Sequence, residues 1–137
     1  MPRSWLAHYP PGIPADIDPG TYPSLNALID EAFSKYRQRP AYECMGRRLS
    51  FGQLDDDSRS FAAWLQSRGL GHGTRVAVML PNVLQFPVAV SGALRAGATV
   101  VNVNPLYTAR ELEHQLIDSG AEAIVILENF GATLQQV

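Results

Sequence analysis

Three short apolar runs decide the fold of this chain: Val76-Ala77-Val78-Met79-Leu80, Thr99-Val100-Val101-Asn102-Val103 and Ile124-Val125-Ile126-Leu127. None alternates between apolar and polar residues, as a strand with one wet face would. Strands covered on both faces read this way, and they are usually parallel. Parallel neighbours need crossover connections, and two helical stretches supply them. Between the first two runs, residues 82–96 carry Val83, Leu84, Phe86, Val88, Ala89, Val90, Ala93 and Leu94. They lie nearly all round a helix, which predicts burial on most sides. Pro87 predicts a kink or a delayed start. Thr108 with Glu111 forms a capping box that opens a second helix, ending near Ser119 before Gly120. Asn129 is expected to cap a last helix running toward Val137. The alternation predicts an α/β fold, an incomplete doubly wound, mostly parallel sheet with flanking helices.

Working back from the first strand, Ser50 with Gln53 forms another capping box, and the helix after it buries Leu54, Phe61, Ala62 and Leu65. Gly69 can take the left-handed conformation that ends it. Residues 41–50 read as a small hairpin around Gly46. Ser24 caps a helix to about Arg37, with Leu25, Leu28, Ile29, Ala32, Phe33 and Tyr36 as one buried stripe. Residues 1–23 hold six prolines, Pro2, Pro10, Pro11, Pro14, Pro19 and Pro23, which exclude a helix or an inner strand. With Trp5, Leu6, Tyr9, Ile13 and Tyr22 this segment is too apolar for a free tail and reads as an extended strap. Two parts follow: the strap at 1–23, then 24–137 as the N-terminal part of a larger, truncated domain. A helix apolar on all sides needs neighbours that three strands do not supply.

Composition narrows the function. The chain has 137 residues, 46% apolar and 18% charged, which is ordinary globular composition. Its net charge of −2 speaks against a nucleic-acid surface. The single Cys44 excludes an internal disulfide or a multi-cysteine zinc site. No run reaches the ~20 apolar residues of a membrane span, and no secretion signal stands at the start, so a cytoplasmic location is expected. No amphipathic membrane anchor is visible.

Most candidate sites have a plain structural explanation. Gly69-Leu70-Gly71-His72-Gly73 follows a helix and precedes a strand, the reverse of a phosphate loop, so it reads as a helix stop and a tight turn. His114 shares a helical stripe with Glu111 and Asp118 but lacks further ligands, and a solvated face is the better reading. Asp55, Asp56 and Asp57 read as stabilisers of a helix start, with Asp55 and Arg59 as an i,i+4 pair. The strongest local signal is the turn Asn102-Val103-Asn104-Pro105-Leu106-Tyr107-Thr108. It stands where a parallel strand ends, the edge on which α/β sheets place ligands. Asn102, Asn104, Tyr107 and Thr108 fit either a structural role or a substrate-side or interface role.

Two segments carry a resemblance. Leu49-Ser50-Phe51-Gly52-Gln53-Leu54 resembles the first core motif of the adenylate-forming superfamily, Leu-Thr/Ser-Tyr-x-Glu-Leu, with Phe51 and Gln53 as departures. Leu94-Arg95-Ala96-Gly97-Ala98 through Asn104-Pro105 resembles the second, with Arg95 in place of lysine. The asparagine-rich turn followed by Arg110 to Leu116 resembles the acyl-CoA branch, and Val101 to Ile126, with the Trp5-Leu6 and Tyr9-Pro10 opening, is similar to bacterial long-chain fatty-acid–CoA ligases. The likeness implies an N-terminal portion of an AMP-forming acid–thiol ligase. Such an enzyme joins a fatty acid to ATP as an acyl-adenylate, then transfers the acyl group to coenzyme A. Its implied partners are fatty acid, ATP, magnesium and coenzyme A, and it permits a homodimer and peripheral membrane contact. The triphosphate loop, the acidic magnesium ligand and the catalytic lysine of that family have no counterpart here, since Lys35, the one lysine, lies in the first helix. No catalytic, cofactor-binding or metal residue is therefore assigned, and these 137 residues alone are expected to be inactive. The alternative is a small non-catalytic α/β binding or interaction module. Self-association is expected from its uncovered apolar surface.

Overall fold

The computed structural model describes residues 3–137, and Pro2 of the strap lies outside them. The strap is irregular apart from one 3₁₀ turn at Ser4–His8, where no helix was expected. That turn ends at Tyr9, whose extended backbone is the conformation a following proline imposes. Trp5, Tyr9, Ile13 and Ile17 remain exposed.

Helix α1 (Leu25–Lys35) is capped by Ser24, whose hydroxyl accepts the Ala27 N–H at 3.1 Å. Its expected buried stripe is only partly buried. Phe33 is covered, whereas Leu25 and Leu28 are exposed, because α1 docks along one edge of that stripe. The hairpin pairs β1 (Pro40–Cys44) with β2 (Arg47–Ser50), and Met45 and Gly46 turn at φ 50° and 74°. Two successive left-handed residues are what a two-residue hairpin requires. Ser50 and Gln53 then close a capping box on α2 (Phe51–Ser67), which stops before Gly69 at φ 76°.

The sheet follows: β3 (Arg75–Met79), α3 (Gln85–Ala96), β4 (Thr99–Asn102), α4 (Ala109–Ser119) and β5 (Ala123–Ile126), then a short α5 (Gly131–Leu134). All three strands are parallel, in the order β4-β3-β5. Pro87 is the third residue of α3, so its effect is the delayed start and not a kink. Thr108 and Glu111 close the capping box on α4, and Gly120 ends it at φ 61°. Asn129 does not cap the last helix. It sits inside a 3₁₀ turn at Glu128–Phe130, which places Phe130 at the head of α5 with no side-chain cap.

Coverage on both faces holds fully for β3 alone, where Val76 to Met79 are 0% exposed. β4 and β5 each have one neighbour and stay partly open. Val76 and Val78 face α2 and α3, through Ala62, Leu65, Ala89 and Ala93. Ala77 and Met79 face α4 and α5, through Leu112, Phe130 and Leu134. Each large apolar side chain buried here contributes about 1.5–3 kcal/mol, so β3 is the mechanical centre. Helices α2 and α3 touch closely at Gly92, where a Cβ would stand 2.7 Å from Phe61 and 2.9 Å from the Ser58 carbonyl. α3 was expected to be buried on most sides, and its outer side is the exception, where Phe86, Val90 and Leu94 are only partly covered. There they form, with Leu25, Leu28 and Tyr42, an apolar groove of about 470 Å³.

Candidate functional site

The carboxyl ends of the three strands define the edge where a ligand would meet this sheet. From β3 the chain leaves through Leu80-Pro81-Asn82, from β4 through the 102–108 turn, and from β5 through Leu127-Glu128-Asn129. α3 and α5 lie on opposite faces, so the chain leaves β3 and β5 in opposite directions. That divergence is the topological switch point, where open α/β sheets form their crevice. It lies between β3 and β5, while the 102–108 turn follows the outer strand β4. The loops at Pro81-Asn82 and Glu128-Asn129 flank it, and only the strand order could single them out.

In the 102–108 turn the local chemistry is largely accounted for. The Asn104 side-chain oxygen accepts the Leu106 N–H at 3.0 Å and its carbonyl accepts the Tyr107 N–H at 3.1 Å, a turn of the Asx type. The Tyr107 ring packs on the Met79, Val103 and Leu112 cluster. Thr108 donates its N–H at 2.9 Å and its hydroxyl at 2.7 Å to Glu111, whose carboxyl those two bonds hold below its ordinary range. Asn102 differs. Its backbone carbonyl accepts Gln115 Nε2 at 3.0 Å, and its exposed side chain makes no hydrogen bond among the described residues. Of the four residues singled out by the sequence, it alone has a side chain without a local task.

The other candidates take their structural readings. Gly69 and Gly73 adopt positive φ around the tight turn before β3, with the Thr74 N–H bonded to the Gly71 carbonyl at 3.0 Å. Glu111 and His114 line an open, shallow hollow on α4, exposed to solvent. Among the described residues there is no group of three His, Cys, Asp or Glu that could hold a metal ion. Cys44 directs its Sγ to the Asn82 carbonyl at 3.4 Å.

Asp55 does more than its expected role. It stands in the second turn of α2, within the first turn or two expected, and is 8% exposed. Arg95 reaches it at 2.6 Å, Arg59 at 2.9 Å and Arg37 at 3.2 Å. The expected pair with Arg59 exists, but as one arm of a hub. Arg95, with 9% of its side chain exposed, also pairs with Asp30 of α1 and lies over the Phe33 ring at 5.2 Å. Burial pushes the Asp55 carboxyl up, but the hydrogen bonds from Arg95 and Arg59 outweigh it and hold it below its usual range. This cluster ties α1, α2 and α3 together. Its charges pair with one another, which makes it a brace.

Comparisons with known proteins fit this picture. The family model of the AMP-binding enzyme matches residues 29–137. A long-chain-fatty-acid–CoA ligase from Yersinia pestis is 54% identical over all of this chain, which covers 25% of that protein. One from Haemophilus influenzae is 50% identical, with the same coverage. Among solved structures, a benzoate CoA ligase from Burkholderia xenovorans superposes with a TM-score of 0.76 at 25% identity, over 81% of this chain and 23% of the ligase. The chain thus spans about a quarter of the length of the curated relatives it matches.

Proposed function

Because the chain belongs to the AMP-binding enzyme family, we propose that it is the N-terminal part of a long-chain fatty-acid–CoA ligase. The whole protein would activate a fatty acid with ATP and pass the acyl group to coenzyme A. The observation that carries this reading is the 54% identity with a ligase of that description over the full length of the chain. Identity of that extent does not favour a stand-alone binding module.

Within that enzyme, residues 24–137 form the first part of the large domain, and the strap at 1–23 is laid down when later polypeptide covers the exposed Trp5 and Ile13. β3 and its helices are a scaffold that sets the carboxyl edge of the sheet. Along that edge Asn102 is the substrate-side or interface group, and Asn104, Tyr107 and Thr108 hold the turn that presents it. These residues supply no triphosphate grip: Lys35 lies against Tyr36 in the first helix region, far in sequence from the turn. The triphosphate of ATP is then gripped by other segments. The cytoplasm is the proposed location, with no described helix long and apolar enough to cross a membrane. Uncovered apolar side chains such as Trp64 and Leu28 support self-association of the short chain.

The test is fatty-acid-dependent exchange of pyrophosphate into ATP. The polypeptide extended to the length of its relatives catalyses it with long-chain acids, and the 137-residue chain does not. Exchange by the short chain would overturn the scaffold reading. In the long form, Asn102→Ala raises a substrate KM without lowering the melting temperature, whereas unchanged kinetics would remove Asn102 from the site.

A further inference from the structure

We propose that Gln115 is a positioning residue for Asn102, clamping the peptide that joins Asn102 to Val103 so that the Asn102 side chain meets substrate from one fixed direction. This rests on reading Asn102 as the substrate-side group at the carboxyl edge of the sheet. The peptide is held at both ends. Its N–H, that of Val103, donates to the Val78 carbonyl at the end of β3 at 3.0 Å. Its C=O, that of Asn102, points away from β3, because the two polar groups of a trans peptide face opposite ways. Among the described residues β4 pairs with β3 alone, so this carbonyl has no partner in the sheet. Gln115 of α4 supplies one, with Nε2 donating at 3.0 Å. Fixing the plane of this peptide fixes ψ of Asn102 and φ of Val103, the two soft dihedrals that set how the strand end leaves the sheet.

The side chains along β4 sort to suit this. Val101 and Val103 pack in the cluster under α4, whereas Val100 packs toward α2 and α3. Alternation along the strand puts Asn102 with Val100, on the face opposite α4. Gln115 therefore grips the backbone from one face and leaves the exposed Asn102 amide clear on the other. The grip also has a local cost. Gln115 Oε1 is buried and has no hydrogen-bond partner among the described residues. Turning the amide over would set Oε1 against the Asn102 carbonyl, acceptor against acceptor, so the donor end must face the strand. A buried acceptor left unpaired is unfavourable, and such local conflicts gather where geometry serves function. The capping box at Thr108 and Glu111 sets where α4 begins, and Glu111 stands one turn before Gln115 on the same stripe. The turn that follows Asn102 thus also places the residue that clamps it.

Pyrophosphate exchange by the polypeptide extended to the length of its relatives tests the clamp, with KM for a long-chain acid and for ATP measured in each variant. Gln115→Leu removes the donor and the unpaired acceptor together, so the melting temperature is expected to hold. Whichever KM Asn102→Ala raises is expected to rise in Gln115→Leu by roughly 3- to 10-fold, the size of one hydrogen bond, with kcat unchanged. Gln115→Glu keeps the shape without the donor and is expected to give the same rise, which keeps the test decisive if the leucine variant fails to fold. Added to Asn102→Ala, Gln115→Leu is expected to change neither KM further, because the side chain it orients is gone. A purely structural glutamine would add its own effect there. Additive effects, or an unchanged KM in Gln115→Glu beside a raised one in Asn102→Ala, would overturn the clamp and leave the reading of Asn102 standing. Unchanged kinetics in Asn102→Ala would overturn both.

Discussion

The region around β3 and the region around α1 hold together by different physics. β3 is dry on both faces, with Val76 to Met79 fully covered and no charge among them. α1 is held by a small cluster at Phe33, Leu49 and Leu54, and by the arginines gathered on Asp55. Both regions show apolar periodicity in the sequence, yet one stripe is core and the other is half wet. Periodicity tells which residues share a face. It does not tell how much of that face finds a partner.

That contrast can be broken from its strong side first. Ala77→Asp places a carboxylate in the dry centre of the sheet, which costs several kcal/mol against a total stability of about 5–15 kcal/mol. The cooperative thermal transition in circular dichroism is expected to disappear, and its survival would mean that β3 is not the centre.

On the α1 side the sensitive point is a charge. Asp55→Ala leaves the buried Arg95 with only the half-exposed Asp30 as a partner and is expected to cost about 3 kcal/mol in a denaturant titration. Adding Arg95→Met removes the stranded charge and recovers most of that loss. The folded carboxyl lies below its ordinary value of 3.8, so its contribution is complete above that pH and is lost as pH falls through the lower, folded value. The stability gap between the native chain and Asp55→Asn should therefore close in strong acid. A gap that is constant across that range would show that packing, not charge, does the bracing.

Smaller effects sharpen the comparison. Thr108→Ala removes the cap of α4 on the sheet side and should lower stability by about 1 kcal/mol, read from the urea midpoint. Leu28→Ser on the exposed α1 stripe should change it by less than about 0.5 kcal/mol, the size of an ordinary surface substitution. A loss as large as that from a core leucine would mean that the groove wall is packed in solution.

Much of the fold was legible in single stretches of sequence. The capping boxes at Ser50 and Thr108, the stops at Gly69 and Gly120 and the hairpin at Gly46 rest on neighbours within a few residues, and each strand shows in its own apolar run. Local hydrogen bonds and backbone sterics act over that range, so the residue types reveal them. The 102–108 turn was legible for the same reason, as was its place after a strand.

What only the tertiary structure decided was which segments meet. The order β4-β3-β5, and with it the switch point beside Pro81 and Glu128, depends on which way each crossover folds over the sheet. The brace depends on contacts 40 and 65 residues apart, from Arg95 to Asp55 and Asp30, and Arg95 by itself reads as one more surface charge. Burying it is favourable only because two carboxylates and an aromatic ring come together around it. A linear pattern fixes the faces of a helix or strand, while the partner of each face is settled by the packing of the whole chain.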